Sequence, residues 1–170
     1  EIPLRLVGSE MCIRDRADSG KKWGIYMFIG EYHHSVDDKG RLIIPSKFRD
    51  ELGTSFIITR GIENCLYVYS LESWNKIVDK LESLPFTKKD ARTFTRFFLS
   101  GASEAELDKQ GRINITSPLI SYAKITKECI VIGTGDRLEI WSEELWNEFF
   151  VSAKDSMSNI AENLFEGVSI

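Results

Sequence analysis

The chain has 170 residues, a mass of 19.4 kDa and a formal charge of −4, with 42% hydrophobic and 11% aromatic residues. That length suits one compact domain or two small ones sharing a core, and the composition is that of an ordinary folded protein. No apolar run approaches the roughly 18–20 residues that cross a bilayer, so a cytoplasmic protein without a membrane partner is expected.

Residues 1–26 show neither helical nor strand periodicity and lack the long apolar run of a secretory signal. They are expected to be a non-native or disordered extension, with a fresh start at Met27. Without them the charge becomes −5, because the segment holds five Lys/Arg and four Asp/Glu. Cys12, Cys65 and Cys129 are far apart with no CxxC pair, which argues against a zinc ribbon or a disulfide framework. Cys65 and Cys129 sit beside apolar runs and are expected to be buried, reduced core residues.

The organisation beyond Met27 is an internal repeat. "SVDDKGRLIIPSKF" (35–48) aligns with "ELDKQGRINITSPL" (106–119), and "CLYVYSLESW" (65–74) with "RLEIWSEELW" (137–146). Each unit reads as a turn, a short strand, a second apolar strand ("SFIITR", "ECIVIG"), a glycine-containing turn, a third strand and a helix. The expected divisions are a first unit with its helix over 27–84, a bridging helix over 85–102, and a second unit with C-terminal helices over 103–170. Ser70 and Ser142 are the expected N-caps, each followed by early glutamate and by Trp74 or Trp146 facing inward as a core anchor. In the bridge, Thr87 and Asp90 have capping-box spacing, and Ala91, Phe94, Phe97 and Phe98 share a helical face. Val151, Met157, Ile160, Ala161 and Leu164 give the tail an amphipathic period, suited to packing on its own domain or to a subunit contact.

The repeated charged turn carries the functional reading. Asp38-Lys39-Gly40 suits a three-residue hairpin loop, a type I turn closed by a left-handed glycine, with Asp37 and Arg41 facing each other across its base. Asp108, Gly111 and Arg112 repeat the arrangement around Lys109-Gln110. One copy alone is a good turn with a surface ion pair. Two equivalent copies point further, because an aspartate can orient an arginine fork and leave its remaining donors aimed outward, toward phosphate oxygens or the guanine edge. Lys39 and Lys109 at the loop tips add non-specific phosphate attraction. The expected DNA-binding set is therefore Asp37, Lys39, Gly40, Arg41, Asp108, Lys109, Gly111 and Arg112.

Other chemistries fit less well. Adjacent strand residues His33 and His34 point to opposite faces and cannot chelate one ion together, so no metal is expected. There is no phosphate loop, GxSxG or HExxH, and the paired aspartates have like surroundings, so no enzyme, cofactor or small-molecule substrate is expected.

The text "GEYHHSVDDKGRLIIPSKFRDELG", "FTKKDARTFTRFFLSGA" and "LDKQGRINI" resembles the MraZ proteins, bacterial transcriptional regulators related to the AbrB (SpoVT-AbrB) swapped-hairpin domains; the likeness runs from Met27 to about Glu166. The resemblance implies an α+β, β-rich fold in which two tandem AbrB-like units form one pseudo-symmetric, barrel-like core with flanking helices. It implies homo-oligomeric rings that bind short direct repeats in double-stranded DNA upstream of the division and cell-wall gene cluster, in a nucleoid-associated protein. It carries DNA contact to Asp37 and Arg41 and to Asp108 and Arg112. The second repeat departs from the family's text, with Thr116 for proline, Ile120 for arginine and Lys124 for glycine, whereas the first keeps Pro45 and Arg49. Arg41 is accordingly the residue expected to matter most. The alternative is an antitoxin-like interaction module whose basic turns bind a protein.

Overall fold

A computed structural model of the chain describes residues 27–166, so the expected extension over 1–26, with Cys12, lies outside the described residues. Strands β1 (Phe28–Ser35) and β2 (Arg41–Ile43), helix α1 (Ser46–Leu52), strands β3 (Ser55–Arg60) and β4 (Leu66–Ser70) and helix α2 (Leu71–Glu82) come first. Helix α3 (Lys89–Ser100) leads to β5 (Ser103–Glu106), β6 (Arg112–Asn114), α4 (Ser117–Tyr122), β7 (Glu128–Gly135), β8 (Leu138–Ser142) and α5 (Glu143–Leu164). The fold is α+β, and every strand pairing is antiparallel.

The repeats interleave instead of standing side by side. Six strands form one sheet in the order β1-β7-β8-β4-β3-β5, and β2 pairs with β6 in a separate ribbon. Exchanging the repeats leaves this order unchanged, since β1 trades places with β5, β7 with β3, and β8 with β4. The ribbon obeys the same two-fold relation, with the equivalent residues Leu42 and Ile113 opposite each other at its centre. The described strands do not close into a barrel: β1 and β5 are the edges of an open sheet.

Strand alternation sorts side chains into two cores. Leu66, Val68, Val131, Leu138 and Ile140 join one cluster with Leu42, Ile44, Phe48, Ile113, Ile115 and Leu119, from the ribbon and the short helices. Tyr67, Tyr69, Ile130, Ile132 and Trp141 join the other, against Leu81 and Phe98 of α2 and α3. The result is three layers: ribbon with α1 and α4, then the sheet, then α2, α3 and α5. Leu42 and Ile113 are fully buried, and each such side chain contributes ~1.5–3 kcal/mol on leaving water. Cys65 and Cys129 are free and buried, and burial pushes both thiols up to about 12.

Helix starts follow the sequence in two cases and depart from it in one. Ser70 Oγ accepts from the Ser73 amide and Ser142 Oγ from the Leu145 amide. Trp74 and Trp146 are half-buried and pack on the second core, Trp74 stacked on Phe98 with centroids 5.6 Å apart. Thr87 does not cap α3. Lys88 holds the N-cap position without a side-chain bond, since its ammonium offers no acceptor, and its amide closes a turn onto the Pro85 carbonyl. Of the α3 face, only Phe98 is fully buried. The tail is not separate from the helix after Ser142: α5 runs unbroken for 22 residues, with no Gly or Pro to stop it, and Val151, Met157, Ile160 and Leu164 are exposed.

The second repeat's altered text has visible local consequences. Pro45 is the N-cap residue of α1, whereas α4 follows Thr116 and carries its proline, Pro118, inside its first turn. Helix α4 ends with the Ile125 amide on the Ile120 carbonyl and the Lys124 amide on that of Ser121, a Schellman arrangement. That arrangement places Lys124 at φ +53°, where a side chain is strained and glycine is not. Lys124→Gly is therefore expected to stabilise the fold by about 0.5–1 kcal/mol, the relief of strain outweighing the extra chain entropy of glycine. Urea denaturation checks this, and equal or lower stability would reject the strain at Lys124.

Candidate functional site

The two Asp-x-x-Gly-Arg turns are built alike. In the first, the Asp37 amide donates to the Arg41 carbonyl at 3.0 Å and the Gly40 amide to the Asp37 carbonyl at 3.0 Å. Gly40 sits at φ +77°, the left-handed conformation that closes the loop. Asp37 Oδ1 accepts the Lys39 and Arg41 amides, both at 2.9 Å, and Oδ2 accepts Arg41 Nε at 2.6 Å. In the second, Asp108 Oδ1 accepts the Gln110 amide at 2.8 Å and the Arg112 amide at 2.9 Å, and Oδ2 accepts Arg112 Nε at 2.8 Å. Gly111 sits at φ +75°.

Each aspartate thus organises its loop and orients its arginine. The Arg41 amide above all, then the Arg41 side chain and the Lys39 amide, hold the Asp37 carboxyl below its ordinary value. The Arg112 amide, then the Arg112 side chain and the Gln110 amide, do the same for Asp108. Partial desolvation opposes both shifts without reversing them. The carboxylates stay ionised at neutral pH and hold each guanidinium by Nε alone.

The donors left over differ between turns. Both terminal nitrogens of Arg41 lack a protein acceptor among the described residues. Arg112 gives one of its own to Gln110 Oε1 in a short contact. Lys39 and Lys109 stand exposed at the tips.

The ribbon brings the turns together. Arg41 lies opposite Asn114, and Ile43 opposite Arg112. Leu42 and Ile113 point inward, so alternation puts Arg41, Ile43, Arg112 and Asn114 on the one outward face. The Ile115 amide donates to the Gly40 carbonyl at 2.8 Å and the Ile44 amide to the Gly111 carbonyl at 3.0 Å, tying each turn to the other repeat. Gly40 and Ile44 are four strand steps apart, so the turns lie roughly 13 Å apart along the strands. The eight predicted residues thus form two turns at opposite ends of one ribbon.

A family model described as "MraZ protein, putative antitoxin-like" matches the chain twice, over residues 27–97 and 98–167. The chain belongs to the MraZ family. MraZ proteins are regulatory, non-enzymatic and AbrB-like, and the double match is the tandem repeat seen in the strand exchange. Each MraZ unit of the chain contributes one turn. Among the described residues, no helix is long and apolar enough to cross a membrane, and no cluster of three or more His, Cys, Asp or Glu could hold a metal ion. His33 contacts Glu31, its Nε2 lying 3.0 Å from Oε1.

Four residues of this candidate site lie outside the set expected from the sequence. Gln110 orients Arg112, Ile43 and Asn114 share the arginine face, and Arg49 crosses to the opposite repeat's turn. Period-two alternation from Arg41 and Arg112 was a sufficient signal for Ile43 and Asn114.

Proposed function

We propose that the chain is a sequence-specific DNA-binding transcriptional regulator that reads duplex DNA with the outward face of the β2–β6 ribbon. The observation that carries this reading is the pair of aspartate-held guanidinium groups emerging from one face of a two-stranded ribbon. A ribbon of that width fits the major groove, and oriented arginines suit the O6/N7 edge of guanine or two phosphate oxygens. The roughly 13 Å between the turns corresponds to about four base-pair steps. Asp37, Gly40, Asp108 and Gly111 shape the turns, Arg41 and Arg112 make the directed contacts, and Lys39 and Lys109 supply phosphate attraction. Following the family resemblance, the target is short direct repeats upstream of the division and cell-wall genes, in a nucleoid-associated, cytoplasmic setting.

The test is selection of duplexes from a random pool. A recurrent sequence, bound with an affinity that falls steeply with salt, is the expected result. No enrichment together with a flat salt profile would reject DNA as the partner. The antitoxin-like reading, in which the same turns bind a protein, has one supporting feature: Ile43, 43% exposed, lies between the arginines as an apolar contact point.

Self-association into a ring belongs to the same proposal. Its support is α5, where Val151 is 67% and Leu164 72% exposed on an amphipathic helix. Light scattering is expected to give a mass several times 19.4 kDa, and a protomer mass across micromolar concentrations would remove the ring.

A further inference from the structure

The arginine that distinguishes the repeats does not serve the turn of its own repeat. Arg49 lies on α1, eight residues after Arg41, but its guanidinium occupies the space that a β-carbon on Gly111 would fill. Arg49 Nε donates to the Ile44 carbonyl at 2.8 Å, and the Ile44 amide in turn donates to the Gly111 carbonyl. Arg49 is thus fastened to the residue that β2 delivers to the second turn. Its two terminal nitrogens have no protein acceptor among the described residues and are not sealed from solvent. The equivalent position in the second repeat, Ile120, lies against the first turn: its Cδ1 would be 3.2 Å from a β-carbon on Gly40.

The exchange reverses the ranking that flanking text suggests. Around the first turn stand two acids, Asp37 and Asp38, and two bases, Lys39 and Arg41, with Ile120 beside them. Around the second stand one acid, Asp108, and three bases, Lys109, Arg112 and Arg49. The second turn therefore carries two more net positive charges within its own shell, although its own repeat is the one lacking the arginine.

We propose that Arg49 of the first repeat and Arg112 of the second form a phosphate clamp at the 108–112 turn, and that the 37–41 turn lacks this clamp because Ile120 stands in the matching place. This rests on the DNA-binding reading and deepens it, by assigning a polyanion contact to a residue outside both turns. Arg112, held by Asp108 and Gln110, points one fork, and Arg49, anchored on Ile44, presents a second from the neighbouring strand end. Two guanidinium groups from different elements can then bracket one phosphate.

The experiment measures binding of one end-labelled duplex as a function of salt near neutral pH. There His34, whose pKa is lowered by burial and then by the charges of Arg49 and His33, is neutral and adds no charge. Arg49→Gln is expected to reduce the slope of log K against log salt by about 0.9 and to weaken binding about fivefold at ~0.15 M salt, as for one lost phosphate contact. Ile120→Arg is expected to add a guanidinium beside Gly40 and steepen the slope by a similar ~0.9. A loss of the Nε bond to Ile44 alone would lower the melting temperature without moving the slope. If Arg49→Gln melts like the parent and keeps its slope while Arg112→Ala weakens binding, the clamp is wrong and the DNA reading stands. If Arg41→Ala/Arg112→Ala binds like the parent, the DNA reading itself has failed. Should Arg49→Gln prove unstable, Ile120→Arg decides, and an unchanged slope there overturns the clamp.

Discussion

Arg41→Ala/Arg112→Ala is expected to lose specific DNA binding while still folding. Each directed guanidinium contact is worth roughly ten- to hundredfold in affinity, and the two act at separate ends of the ribbon, so their losses should compound. The single variants are expected to differ in kind. Arg41 has both terminal nitrogens unoccupied, so Arg41→Ala should relax sequence preference most strongly. Arg112 shares its surroundings with Arg49 and Lys109, so Arg112→Ala should leave a residual electrostatic grip. Folding should be little affected, because both side chains lie on the outer face and the inward residues Leu42 and Ile113 are untouched. Anisotropy with the selected duplex, paired with a thermal melt, checks both halves. A double variant that folds and binds within twofold of the parent would remove the arginine pair from any part in recognition.

The acidic balance of the chain is compatible with this, for a reason the layers supply. Glu72, Asp79 and Glu82 of α2, and Glu143, Glu144, Glu148, Asp155 and Glu162 of α5, lie in helices behind the sheet. The ribbon lies in front of it. Exposed charges separated by more than about 8–10 Å are largely screened at physiological salt, so the helical acids do little to neutralise the turns. Net charge describes the whole surface, whereas the partner meets one face of it.

What could be read from the sequence was local, and what could not was partnership. Asp37 to Arg41 specify their turn within five residues, because a left-handed glycine and an aspartate accepting two following amides require nothing from elsewhere. Ser70 and Ser142 likewise find their acceptor roles three residues on. Alternation in "LYVYS" and "LEIWS" says that two faces exist, and both become cores. It does not say that β1 pairs with β7, or that β3 pairs with β5. Those pairings join residues 45 or more positions apart and depend on the repeats satisfying each other's edges. Arg49 illustrates the cost: eight residues from Arg41 in the chain, it belongs physically to Gly111. Thr87 is not the cap for a smaller reason: the turn from Pro85 carries the chain one residue further, so that Lys88 precedes the helix that starts at Lys89.

Gly40→Ala should cost the most stability of any single methyl added at the turns, about 2–4 kcal/mol, because it meets two independent objections. At φ +77° an alanine pays the left-handed penalty of roughly 1–2 kcal/mol. Its β-carbon would also lie 2.7 Å from the Ile115 carbonyl oxygen, a backbone atom that cannot swing aside. Relief requires the first turn to withdraw from β6, and the Ile115 amide to Gly40 carbonyl bond at 2.8 Å is then lost, at about 1 kcal/mol more. Gly40→Asn separates the two effects. Asparagine tolerates left-handed backbone better than alanine but occupies the same space. If packing against Ile115 dominates, Asn and Ala will be about equally damaging in urea denaturation; if conformation dominates, Asn will recover most of the loss. A cost below about 0.5 kcal/mol for alanine, within the range of an ordinary surface substitution, would mean that the turn is not wedged against the other repeat. The expected cost links stability to recognition, because the contact that forbids a side chain at Gly40 is the same strand crossing that sets Arg41 and Arg112 on one face.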